Sequence, residues 1–271
     1  MRQFSYLVMF SIIALVALVP IAEAQSSEQT VSTQEATSQD TQGSQQAGST
    51  QTNPCEDPEP DNFVDKEGKP FKIDNMFFPL KPGTTFFYKG EEEGVSSRNK
   101  VEVTHDKKEI LGVTTTVVHD QVFKGRRHWL AEDTFDWYAQ ANDGTVCYFG
   151  EDTKELDKNG NVISTEGSWE AGVNGAKAGI IMEAHPKVGD TYQQEFSSGV
   201  AEDMAKVLSL DKSACVPYGC FHNLLLTKEW TPLEPDVVEH KYYAKNIGFI
   251  REVVVKGGKE RSDLVRITTG N

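Results

Sequence analysis

The chain has 271 residues, a formal charge of −14 and four cysteines, and 38% of its residues are hydrophobic. So acidic a chain lacks the basic footprint of a nucleic-acid binder, and four cysteines are too few for a fold built from disulfides alone. The apolar fraction is low for a chain folded throughout, which points to an unfolded part beside one large domain or two small ones.

The N-terminus reads as a targeting segment. Arg2 is followed by an uncharged, mostly apolar stretch from Leu7 to Ile21, and Ala22-Glu23-Ala24 has the small-x-small pattern of a signal-peptidase site. About 15 apolar residues fall short of the ~20 that a membrane span needs. Residues 1–24 are therefore expected to be a cleaved signal peptide rather than a retained anchor. No later stretch reaches span length, so no transmembrane segment is expected after cleavage. Residues 25–62 read as a disordered, acidic linker. Twenty of the thirty residues 25–54 are Gln, Ser or Thr, and Val31 is the one large aliphatic among them. Such a stretch cannot bury enough surface to offset its ordering entropy. It serves either as a plain tether or as an O-glycosylated stalk. Residues 25–62 hold seven acids and no base, so the linker carries −7 and leaves −7 to the body, 63–271.

From Phe63 onward, short runs of β-branched and aromatic residues recur between turn signals, the pattern of an all-β domain. Lys100–Thr104 and Thr114–Phe123 are strand-like. Thr134–Gln140 and Thr145–Phe149 flank Asn142-Asp143-Gly144, and Lys154–Leu156 and Val162–Thr165 flank Asn159-Gly160, both hairpin signals. Ala201–Leu208 is the best helix candidate, although short enough to be a strand. Phe221–Trp230, Val237–Ala244, Ile247–Val255 and Asp263–Thr268 complete the series.

An internal comparison indicates a duplication. At an offset of 106, Met76 meets Met182, Lys81 meets Lys187, Gly83 meets Gly189, Thr85 meets Thr191 and Val101 meets Val207. At 105, Tyr138-Ala139 meets Tyr243-Ala244. Two related antiparallel meanders are expected, about 70–164 and 176–271. About five strands each would leave two open edges, so the halves are expected to join into one barrel or strongly curved sheet.

Four stretches carry a resemblance: Phe77-Phe78-Pro79-Leu80-Lys81-Pro82-Gly83-Thr84-Thr85, Asp136-Trp137-Tyr138-Ala139, Val216-Pro217-Tyr218-Gly219-Cys220-Phe221 and Tyr242-Tyr243-Ala244-x-x-x-Gly248. In these the chain resembles uncharacterised exported prokaryotic proteins. The resemblance covers most of 70–269 and implies a periplasmic-lipoprotein-like β-barrel or half-barrel in an envelope setting. Its motifs are turn glycines and strand aromatics, so it implies no defined activity.

Export places the cysteines in an oxidising compartment. Cys215 and Cys220 bracket a Val-Pro-Tyr-Gly turn that sets them across a hairpin, within bridging distance. Cys55 and Cys147 form the other expected pair. The competing arrangement is a Zn or Cu site of Cys147, Cys215, Cys220 and His222, whose spacing matches no strong zinc pattern. Neither a metal nor another cofactor is expected. Asp157-Lys158-Asn159-Gly160-Asn161 loosely resembles a calcium loop, but its glycine comes too early and a plain turn accounts for it.

The inter-repeat segment 165–186 is Gly-rich, aperiodic and long for a connection. It is expected to lie across one mouth of the barrel as a binding loop. It holds Glu166, Trp169, Glu170, Met182, Glu183 and His185; of these Glu166, Trp169, Glu170 and His185, with the strand aromatics Trp137, Tyr138, Tyr242 and Tyr243, are the candidate ligand-binding residues. Four residues apart on a strand, Glu166 and Glu170 would lie about 13 Å from each other, too far for a glycosidase pair. No nucleophile elbow, P-loop, dinucleotide fingerprint or His-Glu-x-x-His occurs, and no catalytic residue is assigned. The leading expectation is an exported module that binds an apolar or amphipathic small molecule, with no nucleic-acid partner. The alternatives are a cell-surface structural or interaction protein on a flexible stalk, and a carboxylate-dependent hydrolase.

Overall fold

Among the described residues fifteen strands, of two to sixteen residues, follow one another with almost no helix: one 3-10 turn, Pro60–Phe63, precedes them. The computed structural model describes residues 53–92 and 94–270, so the expected signal peptide and most of the expected linker lie outside the described residues. In chain order the strands are β1 (Thr84–Glu92), β2 (Val95–Ile110), β3 (Val113–Lys124), β4 (Trp129–Gln140), β5 (Val146–Leu156), β6 (Val162–Ser164), β7 (Trp169–Glu170), β8 (Lys177–Met182), β9 (Thr191–Gln193), β10 (Glu195–Phe196), β11 (Met204–Val216), β12 (Gly219–Trp230), β13 (Val238–Ala244), β14 (Gly248–Lys256) and β15 (Arg261–Thr269). All belong to one antiparallel sheet of order β10-β8-β5-β4-β3-β2-β1-β15-β14-β13-β12-β11-β9, with β6 and β7 added against β5.

The all-β expectation holds. Of the two forms it allowed, the hydrogen-bonded ladder takes the open one. Its ends nevertheless fall in a single stretch of chain: β9 pairs with β11, and β10, one residue further on, pairs with β8. The sheet must therefore curl until β8 and β11 flank residues 191–196. Gly179 of β8 permits the approach, because a Cβ there would lie 2.2 Å from the Gln194 carbonyl oxygen.

Turn chemistry acts where the sequence places it. The Asp143 carboxylate accepts from the Thr145 amide at 2.8 Å and closes the β4–β5 hairpin. Asp157 accepts from the amides of Asn159 (2.8 Å) and Asn161 (3.0 Å), so the calcium-like run is an Asx-type turn. Both cysteine pairs are bridged, Cys55–Cys147 and Cys215–Cys220, which excludes the thiolate metal site. The two disulfides fit an oxidising, extracytoplasmic location.

Three stretches differ from expectation. Ala201–Leu208 is not helical: from Met204 it is strand β11, with Ala205, Val207 and Ser209 buried at alternate positions. Eight residues hold too few turns for a helix to outcompete that alternation. Segment 165–186 is not a loop across a mouth, because β7 pairs with β5 at Gly150 and Glu151, and β8 pairs with it at Val146 to Tyr148. The stretch just before β1 covers one end of the sheet instead. Residues 54–62, expected within the linker, are fastened to the sheet at both ends: Cys55 is buried and bridged, Asn142 donates its amide to Asn62, and the next residue, Phe63, stacks edge-on against Phe149 at 5.7 Å. Further on, Asn75 is the fastener. Its side-chain amide donates to the carbonyls of Gly144 (2.9 Å) and Glu183 (3.0 Å), and its oxygen accepts from the Phe77 amide. The Asn246 amide donates to Met76, tying the same strap to the β13–β14 turn.

Candidate functional site

Strand alternation sends every second side chain to the concave face of the sheet. In β4 that face carries Glu132, Thr134, Asp136 and Tyr138; in β13 it carries Glu239, Lys241 and Tyr243; in β3 it carries Val118 and Asp120. These strands come from both halves of the chain, and the curl of the sheet turns them toward a common space. A cavity of about 100 Å³ lies there. Phe86, Tyr88, Val101, Val118 and Ile181 form apolar walls, and Phe78, Pro79 and Leu80 of the strap face it together with Ile247 and Phe249. Asp120, Asp136, Glu252 and Lys241 supply its charged groups.

The charged lining is deeply buried and mostly acidic. The Tyr148 hydroxyl donates to Asp136 at 2.7 Å. Asn99 donates to one Asp120 oxygen at 3.4 Å, while the other has no hydrogen-bond partner within the protein. Burial raises the Asp120 carboxyl well above the usual carboxylate range, and the charges of Asp136 and Glu132 push it further. Burial also lifts Asp136 to about 7, against the Tyr148 and Tyr138 hydroxyls, and Glu132 to about 8 against a hydrogen bond from Thr134. Glu252 is raised by burial and then by Glu239. A second buried pair, Glu195 and Asp203, is raised by burial on both sides, with Glu195 the more strongly held proton.

Lys241 is the buried cation among these acids. Its Nζ lies 2.9 Å from Glu229, and 3.7 Å from both Glu239 and Glu252. Burial alone would discharge the ammonium, but those three carboxylates outweigh it and hold the pKa well above the ordinary value. Glu229 is fixed in turn by the hydroxyls of Thr227 (2.7 Å) and Tyr243 (3.1 Å). Lys241→Met removes the cation and leaves the carboxyls unpaired. A loss of about 3 kcal/mol in unfolding free energy is expected, the low end for breaking a buried pair because the acids can take up protons. Urea titration of this variant, and of Lys241→Met with Glu229→Gln, measures it; the double variant should regain part of the loss.

The eight expected binding residues divide sharply. Tyr138 and Tyr243 line the cavity. Trp137 and Tyr242, one position away, point to the opposite face, where Lys108 Nζ sits 3.2 Å over the Trp137 ring. Trp169 is buried, edge-on to Tyr148 at 5.4 Å. Glu170 is ion-paired to Lys108 at 2.6 Å, and Glu166 and His185 are exposed. Asp120, Asp136, Lys241 and Glu252 were not singled out from the sequence. A usable signal was present: Asp136 shares strand parity with Tyr138, and Lys241 with Tyr243, so each charge follows its aromatic to the same face. Among the described residues no group of three or more His, Cys, Asp or Glu is arranged to hold a metal ion, and no helix is long and apolar enough to cross a membrane.

No protein-family model matches the chain, and no curated protein matches it. Two solved structures are similar. One is a Bacteroides fragilis protein taken to be exported, with a YmcC-like fold: 15% identity, TM-score 0.41, covering 72% of this chain and all of that one. The other is a Parabacteroides distasonis protein taken to be a lipoprotein: 11% identity, TM-score 0.39, covering 72% of this chain and 99% of that one.

Proposed function

We propose that this protein is an extracytoplasmic binding module that takes a small amphipathic molecule into the concave side of its curved sheet. The observation that carries the reading is the cavity, with aromatic and aliphatic walls and a few convergent polar groups, the usual make-up of a small-molecule site. A hydrophobic core without a function would fill such a space with side chains. In the same reading residues 1–24 are a signal peptide and the stretch up to the Cys55 bridge is a tether, so the module sits away from the surface that holds it.

The reading includes an internal duplication. Two local features repeat near the offset of 106 residues. The Gly83 amide donates to Val103 at 2.8 Å and the Gly189 amide to Val207 at 2.9 Å; Thr84 donates to Lys81, and Asp190 to Lys187. Tyr138 and Tyr243 both reach the cavity. The site would then lie between two copies of one meander.

Protein purified without detergent tests the reading. Native mass spectrometry should show a small molecule retained, or binding of added short amphipaths, and Val101→Phe should abolish it by filling the cavity while the circular dichroism spectrum stays unchanged. Retention of nothing, or equal binding by folded Val101→Phe, would overturn it.

A further inference from the structure

The cavity wall holds more acid than it can neutralise. Asp120, Asp136 and Glu252 face it, with Lys241 as their cation. That ammonium is already surrounded: Glu229 at 2.9 Å, Glu239 and Glu252 at 3.7 Å. Asp136 is hydrogen-bonded by Tyr148. What is left facing the space is one Asp120 oxygen and the Glu252 oxygen that Lys241 does not reach, both buried and without a hydrogen-bond donor from the protein. Asp120 and Glu252 are respectively 4% and 0% exposed. Buried acceptors without donors are costly; burial keeps these two carboxyls protonated while the cavity is empty, and a cationic ligand that brings its own donors lets them ionise and releases those protons to solvent. Around them, Phe86, Tyr88, Tyr138 and Phe249 present aromatic surface, which favours an ammonium over a neutral or anionic group.

Other occupants fit less well. An anion would need Lys241, whose charge is spent on three carboxylates. A bare metal ion lacks a set of three ligating side chains among the described residues. Size narrows the class further. A cavity of about 150 Å³ takes a benzene ring, so one of about 100 Å³ suits roughly five non-hydrogen atoms.

We propose that the ligand of this cavity is a small organic cation, a short alkylammonium whose charge sits between Asp120 and Glu252 and whose tail lies against Val101, Val118 and Ile181. This rests on the binding-module reading and specifies its ligand class.

The test compares three probes of one size, n-butylammonium, n-butanol and butyrate, by isothermal titration calorimetry on the full mature chain. The wild type should bind n-butylammonium at least tenfold more tightly than n-butanol, with butyrate weakest. Asp120→Asn and Glu252→Gln should each cut amine affinity at least tenfold and leave n-butanol unchanged. If n-butanol or butyrate binds as well as the amine, and Val101→Phe abolishes that binding, the charge assignment is overturned while the binding module stands. If none of the three binds, both are overturned. Should either carboxamide variant fail to fold, as judged by circular dichroism, the ranking of the probes on the wild type decides.

Discussion

Unfolding free energy falls by several kcal/mol as the pH rises from 5 to 8. The cause is the buried acids of the concave face. A carboxyl whose pKa folding raises keeps its proton in the native state at pH values where the unfolded chain has released it. The native state then binds more protons, so stability is full below the unfolded pKa and is lost as pH climbs through the folded one. Glu132 moves from an ordinary 4.5 to about 8, and Asp136 from 3.8 to about 7. Asp120, Glu195 and Glu252 move in the same direction through burial. For Glu132 alone the shift corresponds to roughly 4 kcal/mol over this window. His240 acts oppositely, since burial lowers its pKa, but it is one partly exposed group against several buried ones. Lys241 stays charged throughout and adds no slope. Guanidinium titrations at pH 5, 6.5 and 8 measure the effect, and Glu132→Gln should flatten it. A flat or rising profile in the wild type would show that these carboxyls reach water.

Replacing Cys55 and Cys147 by serine costs about 4–5 kcal/mol of stability, and Cys215→Ser with Cys220→Ser costs about 2 kcal/mol. The difference lies in the loops that the bridges close: the cysteines are 92 residues apart in the first pair and five in the second. A long closed loop removes more freedom from the unfolded chain. The first pair also anchors the strap, so its loss frees Phe63 from Phe149 and loosens the cover over the end of the sheet. For a domain of this size the melting temperature should fall by about 10 °C or more. Calorimetry on both double variants under oxidising conditions checks the order. Equal losses, or a larger one for the short loop, would contradict the loop-closure account.

Local chemistry made much of this architecture readable in the amino-acid sequence. The hairpins at Asp143 and Asp157 follow from side chains that satisfy neighbouring amides, and such turns need no distant partner. The disulfide across Pro217-Tyr218 follows from the hairpin itself. β-Branched and aromatic alternation separates strand from loop wherever strands are long, as in β3 and β4. The short strands β7 and β8 escaped that reading because two to six residues carry too little pattern, and their pairing depends on distant partners, β5 for both and β10 for β8.

The site was far less readable. A period of two tells which residues share a face, but not which face meets water. Asp120, Asp136 and Glu252 look in sequence like the solvated side of a half-buried sheet, and their neighbours Trp137 and Val253 look like its core. Only the curl of the sheet, closing β8 and β11 onto residues 191–196, makes the acidic side the inner one. The −7 charge of the body is in part an acidic interior. Segment 165–186 shows the same division. Its composition marks it as unusual, yet whether it covers a mouth or joins the sheet depends on backbone partners more than a dozen residues away, and those are set by tertiary closure.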